Sequence, residues 1–229
     1  MKNRKKIISI SCCVLAAVFI ATAGKAGWTQ VMLREQPDRI IVIDAGHGGD
    51  DSGKIGINQA LEKDINLSIA KFLKTDLEQN DYTVVMTREN EGGLYDEGAQ
   101  NKKVQDLQRR IEIIEKSNAV IAVSIHQNSY HEEDCKGAQV FYHEESKEGK
   151  KLAEQIQAQL VQAIDLNNHR VAKANKSYFL LKKTQVPTVI VECGFLSNWD
   201  DANELSSEEY QKKMAFQISM AIQKYLNGI

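Results

Sequence analysis

Short apolar runs alternate with longer amphipathic segments along most of the chain. Continuous apolar runs are typical of strands that are buried on both faces of a sheet. Such runs predict strands at 39–44, 82–87, 119–125, 137–142, 178–181 and 188–191. Apolar residues at helical spacing predict helices at 62–79, 104–116, 148–164 and 207–226. Strands that alternate with helices favour an α/β fold, here a three-layer sandwich whose mostly parallel central sheet is flanked by helices.

Side chains with metal-binding chemistry stand at the ends of these predicted elements. His47 follows the first strand, His126 follows the third, and Glu62 opens the first helix, fifteen residues after His47. Ligands of open α/β sheets bind outside the carboxyl ends of the strands, so we expect these side chains to meet at that edge. Two imidazoles and one carboxylate suit Zn²⁺ and leave one coordination position open for water, as in catalytic zinc sites.

Each of these residues also has an interpretation without a metal. Glu62 could be an acidic residue favoured by the dipole at a helix N-terminus, and His126 could be a strand-end histidine with satisfied hydrogen bonds. His47 lies between two glycines, without bulky neighbours, which is unusual for a histidine of the core. The spacing of His47 and Glu62 favours the metal interpretation. So does the proximity of Asn128 to His126, because Asn128 would then support the ligand or contact the substrate.

Glu192 follows the last predicted strand, where an apolar or a turn residue is normally found. A carboxylate has a reason to be there if it carries a proton beside a metal ion. Cys193 comes next, but no histidine base is matched to it, so we expect it to pack as a small apolar residue and not to act as a nucleophile. A disulfide between Cys135 and Cys193 is the alternative for an exported chain.

Composition limits the number of domains and the kinds of partner. The 229 residues, 42% of them hydrophobic, can bury one sizeable core, which favours a single main domain. The 29 basic and 31 acidic residues leave a net charge of −2. The chain therefore lacks the basic excess that nucleic-acid binding requires, and we expect no nucleic-acid partner.

The N-terminal region differs from the rest of the chain. Four of the first six residues are basic, and an apolar run from 7 to 23 follows them. This order is typical of an export signal; Ala21-Thr22-Ala23 offers a cleavage site, and the run is nearly long enough to remain as a membrane anchor. The clustered basic residues argue against the alternative, a buried core helix. The sequence thus predicts a signal peptide or signal anchor at 1–24, a short linker at 25–38 and an extracytoplasmic domain at 39–229, with membrane contact only through the N-terminal segment.

Four separated motifs resemble those of the zinc-dependent N-acetylmuramoyl-L-alanine amidases of the bacterial cell wall, the AmiC-like catalytic domain. They are DAGHGGDDSGKIG from Asp44, LEKDINL from Leu61, SIHQNS from Ser124 and VPTVIVECGFLSN from Val186. The resemblance spans residues 39–226 and implies that His47, Glu62 and His126 bind the zinc. By the same resemblance Glu192 is the catalytic glutamate. Arg110, sixteen residues before His126, matches an arginine of the family, and we expect it to bind substrate or to support the metal site.

The resemblance implies hydrolysis of the amide that joins N-acetylmuramic acid to L-alanine of the peptidoglycan stem peptide, with Zn²⁺ as cofactor. A leader followed by a bare catalytic domain is similar to the layout of sporulation-type amidases, which act in spore-cortex maturation and permit muramic lactam formation. The alternatives are a vegetative amidase of cell separation or turnover, a different exported zinc amidase or peptidase, and a wall-binding module without catalysis. The segment after Asn128 is too short for the inhibitory helix of some relatives. We therefore expect external control, for example by a regulatory partner protein.

Overall fold

The computed structural model describes residues 39–228 of the chain. The predicted signal segment at 1–24 and the predicted linker at 25–38 lie outside the described residues. Within 39–228, no helix combines the length and the apolar character that spanning a bilayer requires.

Within residues 39–228, six strands form one sheet, and three of its inner strands are almost entirely buried. The strands are β1 Ile40–Ala45, β2 Thr83–Met86, β3 Ile121–Asn128, β4 Gln139–His143, β5 Lys173–Asn175 and β6 Thr188–Phe195. Their order across the sheet is β2-β1-β3-β6-β4-β5. β4 runs antiparallel to β6, and the other neighbouring pairs are parallel. Burial of β1, β3 and β6 on both faces explains their continuous apolar sequences.

Helices cover both faces of the sheet. They are α1 Glu62–Glu78, α2 Lys102–Lys116, α3 Lys147–Ala163, α4 Phe179–Lys183, α5 Trp199–Leu205 and α6 Glu208–Asn227. α1, α3, α5 and α6 share one core with Ile43 of β1, whereas Ile114 of α2 and Leu180 of α4 share the other core with Val42. Successive strand residues point to opposite faces, so these two cores lie on opposite sides of the sheet. The predicted three-layer α/β sandwich with a mostly parallel sheet is confirmed.

The predicted strand at 178–181 is wrong. Strand β5 lies earlier in the chain, and the backbone turns after it because the Asn175 side chain accepts hydrogen bonds from the N–H groups of Ser177 at 2.7 Å and Tyr178 at 2.8 Å. The apolar residues that follow form α4, and its residues Leu180 and Leu181 are buried. A short apolar run does not distinguish a strand from a buried helical turn by its pattern alone.

Two other features differ from the sequence-based expectations. The apolar pattern does not predict α5, although Asn198 caps this helix by accepting a hydrogen bond from the N–H of Asp201 at 3.0 Å, a recognisable start signal. β3 and β6 are also longer than predicted. Consequently His126 and Glu192 lie inside these strands and not after them.

Cys135 and Cys193 are both free thiols. Cys193 is buried in β6, and burial raises the pKa of its thiol. This environment agrees with the predicted packing role, because a thiol that stays protonated is a poor nucleophile.

Candidate metal centre

Three neighbouring parallel strands bring the predicted site residues to one edge of the sheet. The register of β3 and β6 pairs His126 with Glu192. His47 follows β1 after one glycine, on the strand that flanks β3 on its other side. Glu62 reaches the same place because the loop before α1 is fixed by backbone hydrogen bonds, among them one from the N–H of Glu62 to the carbonyl of Lys54 at 2.9 Å.

The side chains of His47, Glu62 and His126 are close enough to share one metal ion. One potential ligand atom of each lies within 4.8 Å of the others. Oε1 of Glu62 lies 3.2 Å from Nε2 of His47 and 3.0 Å from Nδ1 of His126. Nitrogen and oxygen ligands of a tetrahedral Zn²⁺, bound at about 2.0–2.1 Å, lie about 3.3 Å from one another. The donor types and the two separations from Glu62 therefore fit this ion.

Glu62 is buried, and backbone groups hold its carboxylate in place. The N–H of Lys54 donates to Oε2 at 2.8 Å, and the N–H of Gln127 donates to Oε1 at 3.0 Å. Burial by itself would raise the pKa of Glu62, but the hydrogen bonds and charges of His126 and His47 hold it well below its usual range. The carboxylate is thus ionised, as metal binding requires.

His47 is oriented by Asp51, a residue that the sequence reasoning missed. Nδ1 of His47 lies 2.9 Å from Oδ2 of Asp51, which leaves Nε2 on the side of Glu62. Metal-binding histidines commonly pair their second nitrogen with a carboxylate in this way. Burial alone would lower the pKa of His47, but Glu62 and Asp51 together raise it above its ordinary value, so the site attracts positive charge. A carboxylate four residues after the histidine, in the same glycine-rich loop, is the signal that could have identified Asp51.

Two glycines allow the loop to approach the candidate ligands this closely. A Cβ atom on Gly46 would lie 2.3 Å from Nε2 of His126, and one on Gly53 would lie 2.6 Å from Oε2 of Glu62. His47 itself has a φ of 63°, a left-handed conformation that costs a non-glycine residue about 1–2 kcal/mol. Contacts from the surrounding structure must therefore hold this loop in place.

Arg110 is buried next to the loop that carries His47. Its guanidinium pairs with Asp44 at 2.7 Å and with Asp106 at 2.5 Å, and it donates to the carbonyls of Ala45 and His47, both at 2.6 Å. Burial by itself would raise the pKa of Asp44, but the charge of Arg110, helped by hydrogen bonds from two hydroxyl groups, lowers it to about 2. These contacts place Arg110 where it supports the loop.

Asn128 lies at the end of β3 and lines the same pocket as the candidate ligands. Its Oδ1 atom accepts a hydrogen bond from the N–H of Ser129 at 2.8 Å. The side chain is half-buried at the pocket wall, so contact with substrate stays a prediction for this residue.

Glu192 is a second buried carboxylate at the site, with 8% of the residue exposed. Among the residues that the structure describes, none forms a hydrogen bond with its Oε2 atom. Burial, opposed in part by the charge of His126 and reinforced by that of Glu62, raises the pKa of Glu192 to about 7. A carboxyl group with such a pKa can both accept and donate a proton near neutral pH.

The three candidate ligands, Asn128 and Glu192 line one pocket of about 530 Å³. Its other walls come from α2, through Lys103 and Leu107, and from the start of α4, through Tyr178 and Phe179. Burial and then the charges of Glu192 and Glu62 raise the pKa of Tyr178 to about 12, so its phenol stays a hydrogen-bond donor. A pocket of this size can enclose part of a substrate next to the candidate ligands.

Two more buried polar residues beside the candidate ligands escaped the sequence reasoning. Asn66 donates to the carbonyl of Gly46 at 3.1 Å, and Arg88 donates to the same carbonyl at 3.0 Å. Arg88 comes two residues after β2, and a charged residue directly after an apolar run is the signal that could have found it.

Comparison with known proteins places this site in a family. The sequence model of the N-acetylmuramoyl-L-alanine amidase family matches residues 41–224. The chain belongs to this family. A relative in Bacillus subtilis, the germination-specific N-acetylmuramoyl-L-alanine amidase, is 36% identical over 190 residues, which are 82% of this chain and 79% of that protein. The predicted family is confirmed, and with it amidase activity on peptidoglycan as the class of reaction.

Solved structures agree with this assignment. The CwlD amidase of Clostridioides difficile, solved in complex with the GerS lipoprotein, matches with a TM-score of 0.81 and 39% identity, covering 84% of this chain and 100% of that chain. The amidase AmiC2 of Nostoc punctiforme matches with a TM-score of 0.72 and 37% identity, covering 82% and 97%.

Proposed function

We propose that this protein is a zinc-dependent amidase that cleaves the bond between the lactyl group of N-acetylmuramic acid and L-alanine of the stem peptide. One observation carries the proposal. Two histidines and a buried carboxylate cluster within 4.8 Å, beside a second buried carboxyl group in the same pocket, whose Oε2 atom has no hydrogen-bond partner within residues 39–228. The cluster of candidate ligands and the second carboxyl group match what an amidase of this family requires, since a metal ion and a proton carrier together suffice for amide hydrolysis.

The donor set supports zinc as the metal. Two imidazoles and one carboxylate are a typical ligand set of catalytic zinc, and Asp51 orients His47 as carboxylates do in such sites. A zinc ion held by His47, Glu62 and His126 would polarise the scissile carbonyl and lower the pKa of a bound water from about 15.7 toward about 7.

The burial and position of Glu192 support a role as the proton carrier. Its carboxyl group is buried, and in the metal-free protein its pKa is raised to about 7. Next to a bound ion it would accept a proton from the attacking water and pass it to the leaving amine of L-alanine. Tyr178 lines the same pocket and keeps its phenolic proton, so it can donate a hydrogen bond to the substrate.

Mass spectrometry of digested peptidoglycan tests the reaction. The purified protein should release stem peptides with a free L-alanine amino terminus, and a matched Glu192→Gln sample should release few or none. Shortened stems that are still attached to the sugar would identify a peptidase instead. A protein that binds peptidoglycan but releases nothing would be a wall-binding module.

A role in the spore cortex is the second part of the proposal. Its support is the germination-specific amidase of Bacillus subtilis among the relatives and the CwlD amidase among the structural matches. The test is to express the chain in B. subtilis cells that lack their own germination-specific amidase and to measure muramic lactam in the cortex. Restoration by the wild type but not by Glu192→Gln supports this role, whereas no restoration by an expressed, active chain favours a vegetative role.

Location and control form the third part. We place the enzyme outside the cytoplasmic membrane, because peptidoglycan lies there and the predicted export signal would deliver it. The structural match that was solved with a lipoprotein supports a partner protein for this chain as well. Activity on intact peptidoglycan should therefore rise when extract of the producing cells is added. Vigorous activity that extract does not change would leave timing of expression as the control.

A further inference from the structure

Arg88 is buried beside the candidate metal centre, with 4% of the residue exposed. Within the described residues, all its hydrogen bonds go to backbone carbonyls. Nε donates to Ala45 at 2.9 Å and Nη1 donates to Asn90 at 2.9 Å. Nη2 donates to both Gly46 at 3.0 Å and Lys63 at 2.8 Å.

Keeping this guanidinium buried is costly. Arg88 forms no ion pair within residues 39–228, and a buried charge without a directly paired countercharge is unfavourable. Burial and, after it, the charge of Arg110 lower the pKa of Arg88 to about 10, although the charges of Asp44, Asp106 and Asp64 act in the opposite direction. A methionine would fill a similar space without this cost. The partners of Arg88 indicate what the charge and its five N–H groups are needed for.

Three of the four carbonyls that Arg88 contacts, all except that of Asn90, belong to the two segments that carry His47 and Glu62. Gly46 directly precedes His47, and Lys63 directly follows Glu62. The same nitrogen of Arg88 bonds both of these carbonyls. The two candidate ligands are fifteen residues apart in the sequence. Backbone hydrogen bonds join the start of α1 to Ser52 and Lys54, and the rigid guanidinium of Arg88 adds a direct bridge from this first turn to Gly46, next to His47.

The loop needs such support because its conformation is strained at His47, where φ is 63°. Arg110 holds the carbonyl of His47 at 2.6 Å, but its other partners lie in β1 and α2. Asn66 of α1 adds one hydrogen bond to the carbonyl of Gly46 at 3.1 Å. Arg88 differs from Arg110 and Asn66 because it lies outside the loop and outside α1 but donates hydrogen bonds to both of these segments.

We propose that Arg88 is a positioning residue of the metal centre, which fixes the separation of His47 and Glu62 before the metal binds and thereby raises the affinity for the ion. This inference rests on the proposed zinc site. Ligands that are already held in the bound geometry lose less conformational entropy when the ion binds. Removing polar groups that hold metal ligands in place typically weakens metal binding by about 10–100-fold.

The test compares zinc dissociation constants of the folded, metal-free proteins by competition with a chromophoric chelator. Arg88→Met keeps an unbranched, somewhat shorter side chain but removes every donor, and we expect it to weaken zinc binding by about 10–100-fold. Arg88→Lys keeps the charge but cannot bridge the carbonyls with a planar fork, and we expect a smaller loss. Arg109→Met is the matched control, because Arg109 is a partly exposed arginine of α2 that pairs with Asp96. The zinc affinity of this variant should equal that of the wild type.

A purely structural role would give a different result. Circular dichroism and urea unfolding report whether each variant is folded, and the visible spectrum of bound Co²⁺ reports the ligand geometry, which we expect to change in Arg88→Met. Wild-type zinc affinity and an unchanged Co²⁺ spectrum in a folded Arg88→Met variant, even with a lower urea midpoint, would overturn the proposal. If that variant does not fold, wild-type affinity in Arg88→Lys overturns it. A wild-type protein that binds no zinc would refute the proposed function itself and this inference with it.

Discussion

Asp44 of β1 pairs with Arg110, which in turn holds the carbonyl of His47. Replacing Asp44 by Asn tests how much the charge of this pair contributes to stability. The buried carboxylate accepts hydrogen bonds from Thr87 at 2.7 Å and Ser124 at 2.5 Å, and it pairs with Arg110 at 2.7 Å. Asp44→Asn keeps the size and most of the hydrogen bonding of this side chain but removes its charge. Arg110 keeps Asp106 as a partner, so the change isolates one charge interaction.

The pKa of Asp44 sets the size of the effect. The folded value of about 2 lies below the ordinary value of 3.8, and one pKa unit corresponds to about 1.4 kcal/mol. The ionised carboxylate therefore stabilises the fold by about 2 kcal/mol near neutral pH. Because the folded pKa is the lower one, this contribution is fully present well above pH 3.8 and is lost as the pH falls toward 2. About 1 kcal/mol of it is lost by roughly pH 3.

Urea unfolding, followed by circular dichroism between about pH 7 and pH 3, measures this contribution. Both proteins are studied without metal, since a bound ion would add its own stabilisation. We expect Asp44→Asn to be less stable by about 2 kcal/mol at neutral pH and the difference to shrink by about 1 kcal/mol near pH 3, because Asn does not titrate. A difference that stays constant over this range would refute the reasoning, since it would mean that packing and not charge was lost.

Three further predictions concern the site itself. Glu192→Gln should lower turnover by on the order of 10²–10⁴-fold with normal zinc content, measured by stem-peptide release and elemental analysis; loss of zinc would show that Glu192 is a ligand. Asp51→Asn should weaken zinc binding by about 10–100-fold in a chelator competition, and unchanged affinity would mean that His47 needs no orienting partner. Gly46→Ala places a methyl group where the His126 ring lies, so zinc binding should fall and urea unfolding should show a loss of about 1–3 kcal/mol. A stable variant with full zinc content would show that the loop can move aside.

Burial on both faces made the central strands predictable. β1, β3 and β6 are continuous apolar runs because helices cover the sheet on both sides. Parallel pairing then places the carboxyl ends of these strands together, so residues far apart in sequence, such as His47 and His126, could be expected at one site. The distance between them required the structure.

Two kinds of feature could not be predicted in this way: helices whose start depends on a single side-chain hydrogen bond, and contacts that form only in the folded chain. The turn at Asn175 and the cap at Asn198 decide where α4 and α5 begin. Both depend on single side-chain hydrogen bonds, which the spacing of apolar residues does not reveal. The roles of Arg88 and Asp51 depend on partners that come close only in the folded chain or through the conformation of one loop. A backbone carbonyl carries no residue-specific signal, so the partners of Arg88 cannot be read from the sequence.

The most direct test of the central claim is stem-peptide release by metal-free protein as zinc is added back. The account predicts no release without metal and full release once each chain holds one zinc ion. His47→Ala and His126→Ala should neither bind stoichiometric zinc nor regain activity. Full activity of the metal-free wild type, or full activity of either histidine variant, would contradict the account.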